Sequence, residues 1–404
     1  MKWHHNLLVG VINGLEQFFF HKRRSVKVVE ELFEKNKKWG SRDRKIVSYL
    51  IFENVRWVRK FAYCSNIKEL STKKDLWSIL GSSIVIKDRL LPNFIEFSHL
   101  DSKKILSREK KIKNNRKISQ SIPDWIDSLG VNDFGNKIWD KEIKALNIKS
   151  NLVLRCNTLK SNINHLKKEL SKNNIDSFLI NEYPQAIIIK EPKKVTNLSC
   201  FKMGYFEIQD ANSQKVALSC NLKPRMTVID ACAGAGGKSL HMASIMKNKG
   251  EIIALDLFDN KLKELNNRAI RNGIDIIRTL NTSNKNLISN IIGKADRVLI
   301  DAPCSGLGVL KRNPDAKWNM TPKKIKDLIK VQDSLLEEWS KYLRKGGELI
   351  YATCSIFKNE NTNRIKTFLK SESGKNFKIV KEKTFFSYST GFDGFYIAQL
   401  KNCE

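Results

Sequence analysis

No two of the eight cysteines stand in a CxxC pair, so neither a zinc ribbon nor a thioredoxin-type site is signalled. The six histidines show no HxxxH or HExxH spacing, so no metal site is expected. A long uninterrupted apolar run is also missing. The N-terminal apolar stretch is broken by Asn13, Glu16 and Gln17 and reads as an amphipathic helix, not as a signal peptide or membrane span. Scattered unpaired cysteines in a chain of 404 residues suit a reducing compartment, and a cytoplasmic location is expected. Acids are scarce. The 42 Asp and Glu stand against 73 Lys and Arg, for a net charge of +31 and a pI near 9.8. Such a balance points to a polyanionic partner, most simply nucleic acid. Lys, Asn and Ile are abundant throughout, as AT-rich coding would produce, so drift in composition accounts for part of the charge.

Residues 1 to about 110 follow helical spacing, with Leu7, Leu8, Val11, Ile12 and Leu15 on one face and Val28, Val29, Leu32 and Phe33 on another. Ser41 is placed to cap a helix that carries Arg42, Arg44, Lys45, Arg56, Arg59 and Lys60. Two readings compete for these cations, a solvated face or a phosphate-contacting one. The run Ser102–Gln120 is nearly all polar and basic and reads as a mobile linker or basic loop. A short helix is expected to follow Ile122-Pro123-Asp124-Trp125. Residues 151 to 209 alternate in a βαββ-like order with a closing strand at Phe206–Gln209. That suits a small α+β domain of RNA-recognition type, although the aromatic stacking signature is absent.

From about Ala211 the rhythm becomes strand–helix. Four short apolar runs are centred on Val228, Ile252, Val298 and Leu349, and three of them end in Asp: Asp230, Asp256 and Asp301. Helical stretches separate them, such as Asp259–Asn272 and Thr321–Leu343. The expected fold is α/β, an open and mostly parallel sheet with helices on both faces. Its ligand belongs outside the carboxyl ends of the strands, where the three acids fall. Phe377–Val380 and Phe395–Gln399 suit an antiparallel edge.

The first of these strands runs into Asp230-Ala-Cys-Ala-Gly-Ala-Gly-Gly-Lys-Ser239. Small residues let the backbone turn tightly and approach a ligand. A P-loop needs glycine where Cys232 stands, and a dinucleotide fingerprint needs its third glycine where Ser239 stands. An S-adenosylmethionine pocket requires neither, and Asp256 at the end of the next strand can accept from both ribose hydroxyls. Cys304 and Cys354 each follow a short strand. A buried structural thiol is the ordinary state of any one cysteine, but two thiols beside a methyl-donor pocket suit a further chemistry. Carbon 5 of cytosine is not nucleophilic. A thiolate adding to carbon 6 makes it so, and a second acid–base group must then assist loss of the carbon-5 proton. Asp301 is placed to hydrogen-bond the pyrimidine edge.

The motifs DACAGAGGK, DAPCSGLGVLKRNPDAKW and YATCSIFKNEN together resemble the Sun/Fmu (NOP/NSUN-type) family of RNA cytosine-5 methyltransferases, in particular its bacterial small-subunit rRNA methyltransferase B group. The likeness covers residues 150–404, and FEIQDANSQ resembles the family's junction between its RNA-recognition-like and catalytic domains. The WGSRDR segment resembles its helical NusB-like extension. The resemblance implies a class I (Rossmann-like) methyltransferase sheet, a small α+β RNA-recognition-like domain and an all-helical NusB-like domain. The corresponding division is 1–110 helical, 111–150 basic linker and connecting helix, 151–209 small α+β, and 210–404 methyltransferase. It implies that Cys354 is the nucleophile and that Cys304 helps resolve the adduct. S-adenosyl-L-methionine would be held by Cys232, Ala233, Gly234, Ala235, Gly236, Gly237, Lys238, Asp256 and Asp301. Two positions depart from the family. Ala235 replaces a usual proline, and Asn281 stands where an acid normally contacts the adenine, with Thr282 beside it; the Asn281 amide is expected to hydrogen-bond the adenine in the acid's place. The partner implied is small-subunit rRNA, bound by a monomer, without membrane or metal. The alternatives are a non-catalytic rRNA-binding protein that retains the fold, and a P-loop NTPase dependent on Lys238.

Overall fold

The computed structural model describes residues 3–191, 193–284 and 288–404. The chain forms two compact units, one of residues 1–147 with 313–321 and the other of residues 148–312 with 322–404.

The first unit is helical: α1 (His5–Phe19), α2 (Ser25–Lys35), α3 (Ser41–Ser65), α4 (Lys73–Asp88), α5 (Ser102–Lys111), α6 (Arg116–Ser119) and α7 (Asp124–Leu146). The apolar stripe of α1 is buried against α3 and α4, with Leu8, Val11, Leu15, Ile51, Leu76 and Ile79 at its centre. Gly40, not Ser41, precedes the first turn of α3, and the Asp43 carboxylate accepts its N–H at 3.3 Å. A carboxylate at the third helical position thus reaches back to the N–H of the residue before the helix, the reciprocal half of a capping box, and no side chain takes the capping role expected of the serine.

The cations of α3 do not share one environment. Arg42 and Lys45 are exposed, but Arg56 is buried. Arg59 donates to the Ile122 carbonyl at 2.6 Å and to Asp124 at 3.0 Å, and Lys60 pairs with Glu109 at 2.9 Å. Those last two tie the unit together. The run Ser102–Gln120 is not a loop. Asp101 caps α5 by accepting the Lys103 and Lys104 N–H groups, and Asn115 caps α6 through Ile118. Ile105 and Ile112, seven positions apart among the lysines, are buried with Cys64 and Val85, and that pair of apolar contacts holds the segment down. The helix after Pro123 is also longer than expected, reaching Leu146 with a break at Gly135 (φ 74°).

The second unit begins with a four-stranded antiparallel sheet in the order β2-β3-β1-β4. Its elements are β1 (Leu152–Cys156), α8 (Ile163–Lys172), β2 (Ser177–Leu179), β3 (Ala186–Ile189), α9 (Ser199–Lys202) and β4 (Phe206–Ile208). Leu154, Leu166, Leu170, Ile187 and Phe206 form its core. After α10 (Ala211–Leu218) comes a seven-stranded sheet. Its strands are β5 (Thr227–Asp230), β6 (Glu251–Asp256), β7 (Ile277–Asn281), β8 (Ala295–Asp301), β9 (Leu343–Thr353), β10 (Phe377–Phe385) and β11 (Phe395–Asn402). The order β10-β11-β9-β8-β5-β6-β7 is parallel from β9 to β7, and β11 and β10 close one edge antiparallel. Among the described residues the remaining α-helices are α11 (Gly237–Ile245), α12 (Asp259–Asn272), α13 (Ala316–Asn319, in the first unit), α14 (Pro322–Ser340), α15 (Thr362–Leu369) and α16 (Ser387–Thr390). Apolar clusters cover both faces of the sheet, which is why its inner strands read as continuous hydrophobic runs. The chain leaves β5 for β6 on one side and reaches β8 on the other. The switch point of this Rossmann-like sheet therefore lies between β5 and β8, where a crevice opens at the strand ends.

Candidate active site

Each acid that ends a parallel strand does a different job. Asp230 is fully buried and accepts the Ser239 hydroxyl at 2.6 Å. Burial pushes its carboxyl up to about 7, and Ser239 only partly offsets this. Asp256 accepts the Gly234 N–H at 2.9 Å and the Phe258 N–H at 3.0 Å, so it fixes the turn after β5 to the end of β6. Asp301 pairs with the ammonium of Lys238, which also lies 5.7 Å from the Phe395 ring centre. Lys238 is raised above its ordinary value. Desolvation opposes its charge, but Asp301 and, more weakly, Cys354 and Asp230 outweigh it. The lysine and serine that resembled the end of a P-loop thus face two carboxylates.

The turn between β5 and α11 needs its glycines. Gly236 has φ 84°, and a Cβ there would stand 2.4 Å from Leu265 Cγ. Arg268 donates to the Ala235 carbonyl at 2.6 Å, and the buried Arg155 of β1 donates to Gly237 at 2.7 Å and to Gln209 at 2.6 Å. The small sheet and the glycine turn are therefore braced by one guanidinium.

A cavity of roughly 940 Å³ opens at these strand ends, a size ordinary for a cofactor site. Cys232, Ala233, Gly234, Ala235, Asp256 and Asp301 line it. Gly236, Gly237 and Lys238 are not among the residues that line it. Asn281 also lies outside. Its amide donates to the Leu257 carbonyl at 3.2 Å and to Asp259 at 2.6 Å, and its oxygen accepts the Ser283 N–H at 2.9 Å. Thr282 does line the cavity, and its buried hydroxyl has no hydrogen-bond partner among the described residues. The far wall comes from α14 and the turn before β9, with Val331, Leu335, Glu338, Trp339 and Tyr342. The sequence marks that helix, but nothing in its periodicity marks a site.

Cys304 and Cys354 follow the neighbouring strands β8 and β9, and their sulfurs lie 3.3 Å apart. The hydrogen bond to Cys354, together with burial, raises Cys304 well above the usual thiol value. Gly308 donates to the Cys354 carbonyl at 3.0 Å and accepts from Gly394 at 2.7 Å, which closes the two loops on each other. Arg312 pairs with Asp393 beside Asp210, and Asp393 is pushed up to about 7 by burial and by Asp210. Glu360 is fully buried between the cysteine loops. Sequence reasoning missed it, because it lies in the polar run KNEN, which looks like solvent-facing loop.

Beyond Arg312 the motif changes unit. Asp315 accepts the Ser25 N–H at 3.4 Å, Lys317 is fully buried and donates to Asn147 at 3.2 Å, and Trp318 donates to the Val55 carbonyl at 2.7 Å. The stretch Asp301–Trp318 is chemical at its start and structural in the helical unit at its end. Among the described residues no cluster of three His, Cys, Asp or Glu could hold a metal, and no helix is long and apolar enough to cross a membrane.

Residues 217–401 match the family described as 16S rRNA methyltransferase RsmB/F, and residues 122–196 match the ferredoxin-like domain of RsmF/B-like methyltransferases. A probable ribosomal RNA small subunit methyltransferase B of Synechocystis is 31% identical over 312 residues, covering 72% of this chain and 70% of that one. The Bacillus subtilis protein of the same description is 32% identical over 250 residues, and the match covers 62% of this chain and 56% of the relative. Among solved structures, PH0851 superposes over 99% of both chains with a TM-score of 0.81 at 24% identity. NSun6 from Pyrococcus horikoshii with SFG gives a TM-score of 0.63 at 22% identity, over 70% of this chain and 98% of its own. At these identities the two structures bear on the fold alone.

Proposed function

The chain belongs to the 16S rRNA methyltransferase RsmB/F family and is an RNA methyltransferase, and from that premise we propose that it methylates carbon 5 of a cytosine in 16S rRNA through a covalent cysteine adduct. The observation that carries this reading is the pair of sulfurs 3.3 Å apart beside the Asp301–Lys238 ion pair.

The cavity suits S-adenosyl-L-methionine. It is walled by small residues on one side and by Trp339 and Tyr342 on the other, with the Thr282 hydroxyl and the Asp256 carboxylate as polar contacts. We assign the ribose to Asp256 and the adenine edge to Thr282, because the Asn281 amide is committed elsewhere. When bound, this cofactor supplies the methyl group.

The chain's own residues do the rest. The Cys354 thiolate adds to carbon 6 of the cytosine, and the ring electrons shift to make carbon 5 nucleophilic. Asp301, held by Lys238, accepts a hydrogen bond from the exocyclic amine at the pyrimidine edge and so orients the ring for attack. After transfer, Cys304 gives its proton to the departing Cys354 sulfur and takes the carbon-5 proton in return. The carbon–sulfur bond breaks, the ring double bond reforms, and both thiols end protonated. We assign the helical unit, residues 1–147 with 313–321, and the small sheet of residues 151–209 to RNA binding, and the rest of residues 210–404 to methyl transfer, in a cytoplasmic monomer.

The test is transfer from methyl-labelled S-adenosylmethionine to 16S rRNA, followed by digestion to nucleosides. Label in 5-methylcytidine is expected. Label in any other nucleoside, or none, overturns the reading.

A further inference from the structure

The Glu360 carboxylate touches both cysteine loops. Its Oε1 accepts the Ser305 N–H at 2.7 Å and the Gln332 amide at 3.3 Å. Its Oε2 accepts the Ser305 hydroxyl at 2.5 Å and the Ser355 hydroxyl at 2.7 Å. Ser305 and Ser355 directly follow Cys304 and Cys354, and their hydroxyls lie 3.4 Å apart. Gln332 of α14 also donates to the Pro303 carbonyl at 3.0 Å, so it holds the residue before Cys304 as well.

The backbone around Glu360 is held as well. The Tyr351 hydroxyl donates to the Glu360 carbonyl at 2.7 Å. The Asn361 amide donates to the Ser355 carbonyl at 3.0 Å, and its oxygen lies 2.6 Å from Thr353 Oγ1. A buried charge that served nothing would be costly to keep. This one receives four donors, and the three from the serines come from residues adjacent to sulfur.

We propose that Glu360 is a positioning residue that clamps Ser305 to Ser355 and thereby sets the approach of the Cys304 and Cys354 sulfurs. It is absent from the lining of the cofactor cavity and acts on the sulfurs through the serines. Its negative charge also helps to keep the proton on Cys304, behind the larger effects of Cys354 and burial. The assignment rests on the division of labour between the two cysteines proposed above.

The test uses the full chain with Glu360→Gln, which keeps the side-chain volume and replaces one acceptor with a donor. Three quantities are read: the single-turnover rate of methyl transfer to 16S rRNA, the affinity for S-adenosylmethionine, and the pH dependence of alkylation of Cys304 by iodoacetamide without RNA. The transfer rate is expected to fall by about a hundredfold, the loss that a displacement of about 1 Å produces at a reacting centre. Cofactor affinity is expected to stay within about twofold, because the cavity is untouched. Alkylation of Cys304 is expected to move to lower pH by about half a unit or more, since a negative neighbour has been removed.

A folded variant with unchanged rate overturns the proposal. So does a loss of rate with an unmoved alkylation profile, which would leave Glu360 a folding role only. If wild type methylates no RNA but the profile shifts as stated, the positioning role stands and the functional reading falls. Should Glu360→Gln not fold, Ser305→Ala with Ser355→Ala removes both hydroxyl grips and keeps the carboxylate. The same loss of rate is then expected, and a wild-type rate would overturn the clamp.

Discussion

The sulfur of Cys304 lies 3.3 Å from that of Cys354, fifty positions later in the chain. Both loops leave adjacent parallel strands, so the approach follows from the pairing of β8 with β9 and needs no long-range rearrangement. If Cys354 attacks and Cys304 releases, the two alanine variants must fail differently. Cys304→Ala should accumulate a protein–RNA adduct that survives a denaturing gel in the presence of S-adenosylmethionine, and Cys354→Ala should form none. Adduct in Cys354→Ala alone would exchange the roles.

Gly308 sets how closely those loops approach. A Cβ at this position would stand 2.3 Å from the Gly394 carbonyl oxygen and 2.8 Å from that of Cys354, both backbone atoms that cannot swing aside. Gly308→Ala should therefore displace the Cys354 loop. A stability loss of about 1–3 kcal/mol is expected from overpacking, together with a fall of about a hundredfold in transfer rate. Cofactor affinity, measured by calorimetry, should not move with it. An unchanged rate would show that the spacing of the loops tolerates a methyl group.

The parallel sheet is legible in the sequence because its inner strands are buried on both faces and three of them, β5, β6 and β8, end in Asp, a pattern that survives without knowledge of neighbours. The α5 helix is not legible. Its fully buried apolar anchors are Ile105 and, just past its end, Ile112, and lysines on every side hide so sparse a period. The fate of Asp315, Lys317 and Trp318 is hidden for another reason. Their partners, among them Ser25 and Val55, lie hundreds of residues away, 290 in the case of Ser25, and local pattern carries no trace of such pairings. Asn281 illustrates the limit at the site itself. Its place at the end of β7 can be read, but not that its amide turns to Leu257 and Asp259 and leaves Thr282 facing the cavity.

Asp230 gives the fold a pH dependence of defined sign. Its folded value, about 7, lies above the ordinary 3.8. Between those values the folded chain holds a proton that the unfolded chain has released, so this residue's contribution to stability falls as pH rises from about 4 to 7 and is constant above. At about three pH units between the two states the effect is on the order of 4 kcal/mol. Asp230→Asn keeps an acceptor for Ser239 and removes the titration. The difference in urea-unfolding free energy between variant and wild type should grow in favour of the variant from about pH 4.5 to 7 and then level off. A difference that is flat with pH would mean that Asp230 titrates normally.

The net charge of +31 makes RNA affinity steeply dependent on salt if the basic N-terminal half binds the backbone. Not every cation there is available, because Arg59 and Lys60 are held by Asp124 and Glu109, and Arg56 is buried. Exposed groups such as Arg42 and Lys45 on α3 are the better candidates. Removing one cation that neutralises a phosphate should reduce the slope of log affinity against log salt by about 0.7–0.9. Arg42→Gln with Lys45→Gln should therefore flatten that slope by roughly 1.5 and weaken binding to all RNA sequences alike. Filter binding at several potassium concentrations reads both quantities. A slope equal to that of the wild type would remove this face of α3 from the RNA interface and leave its arginines and lysines as solvated charge.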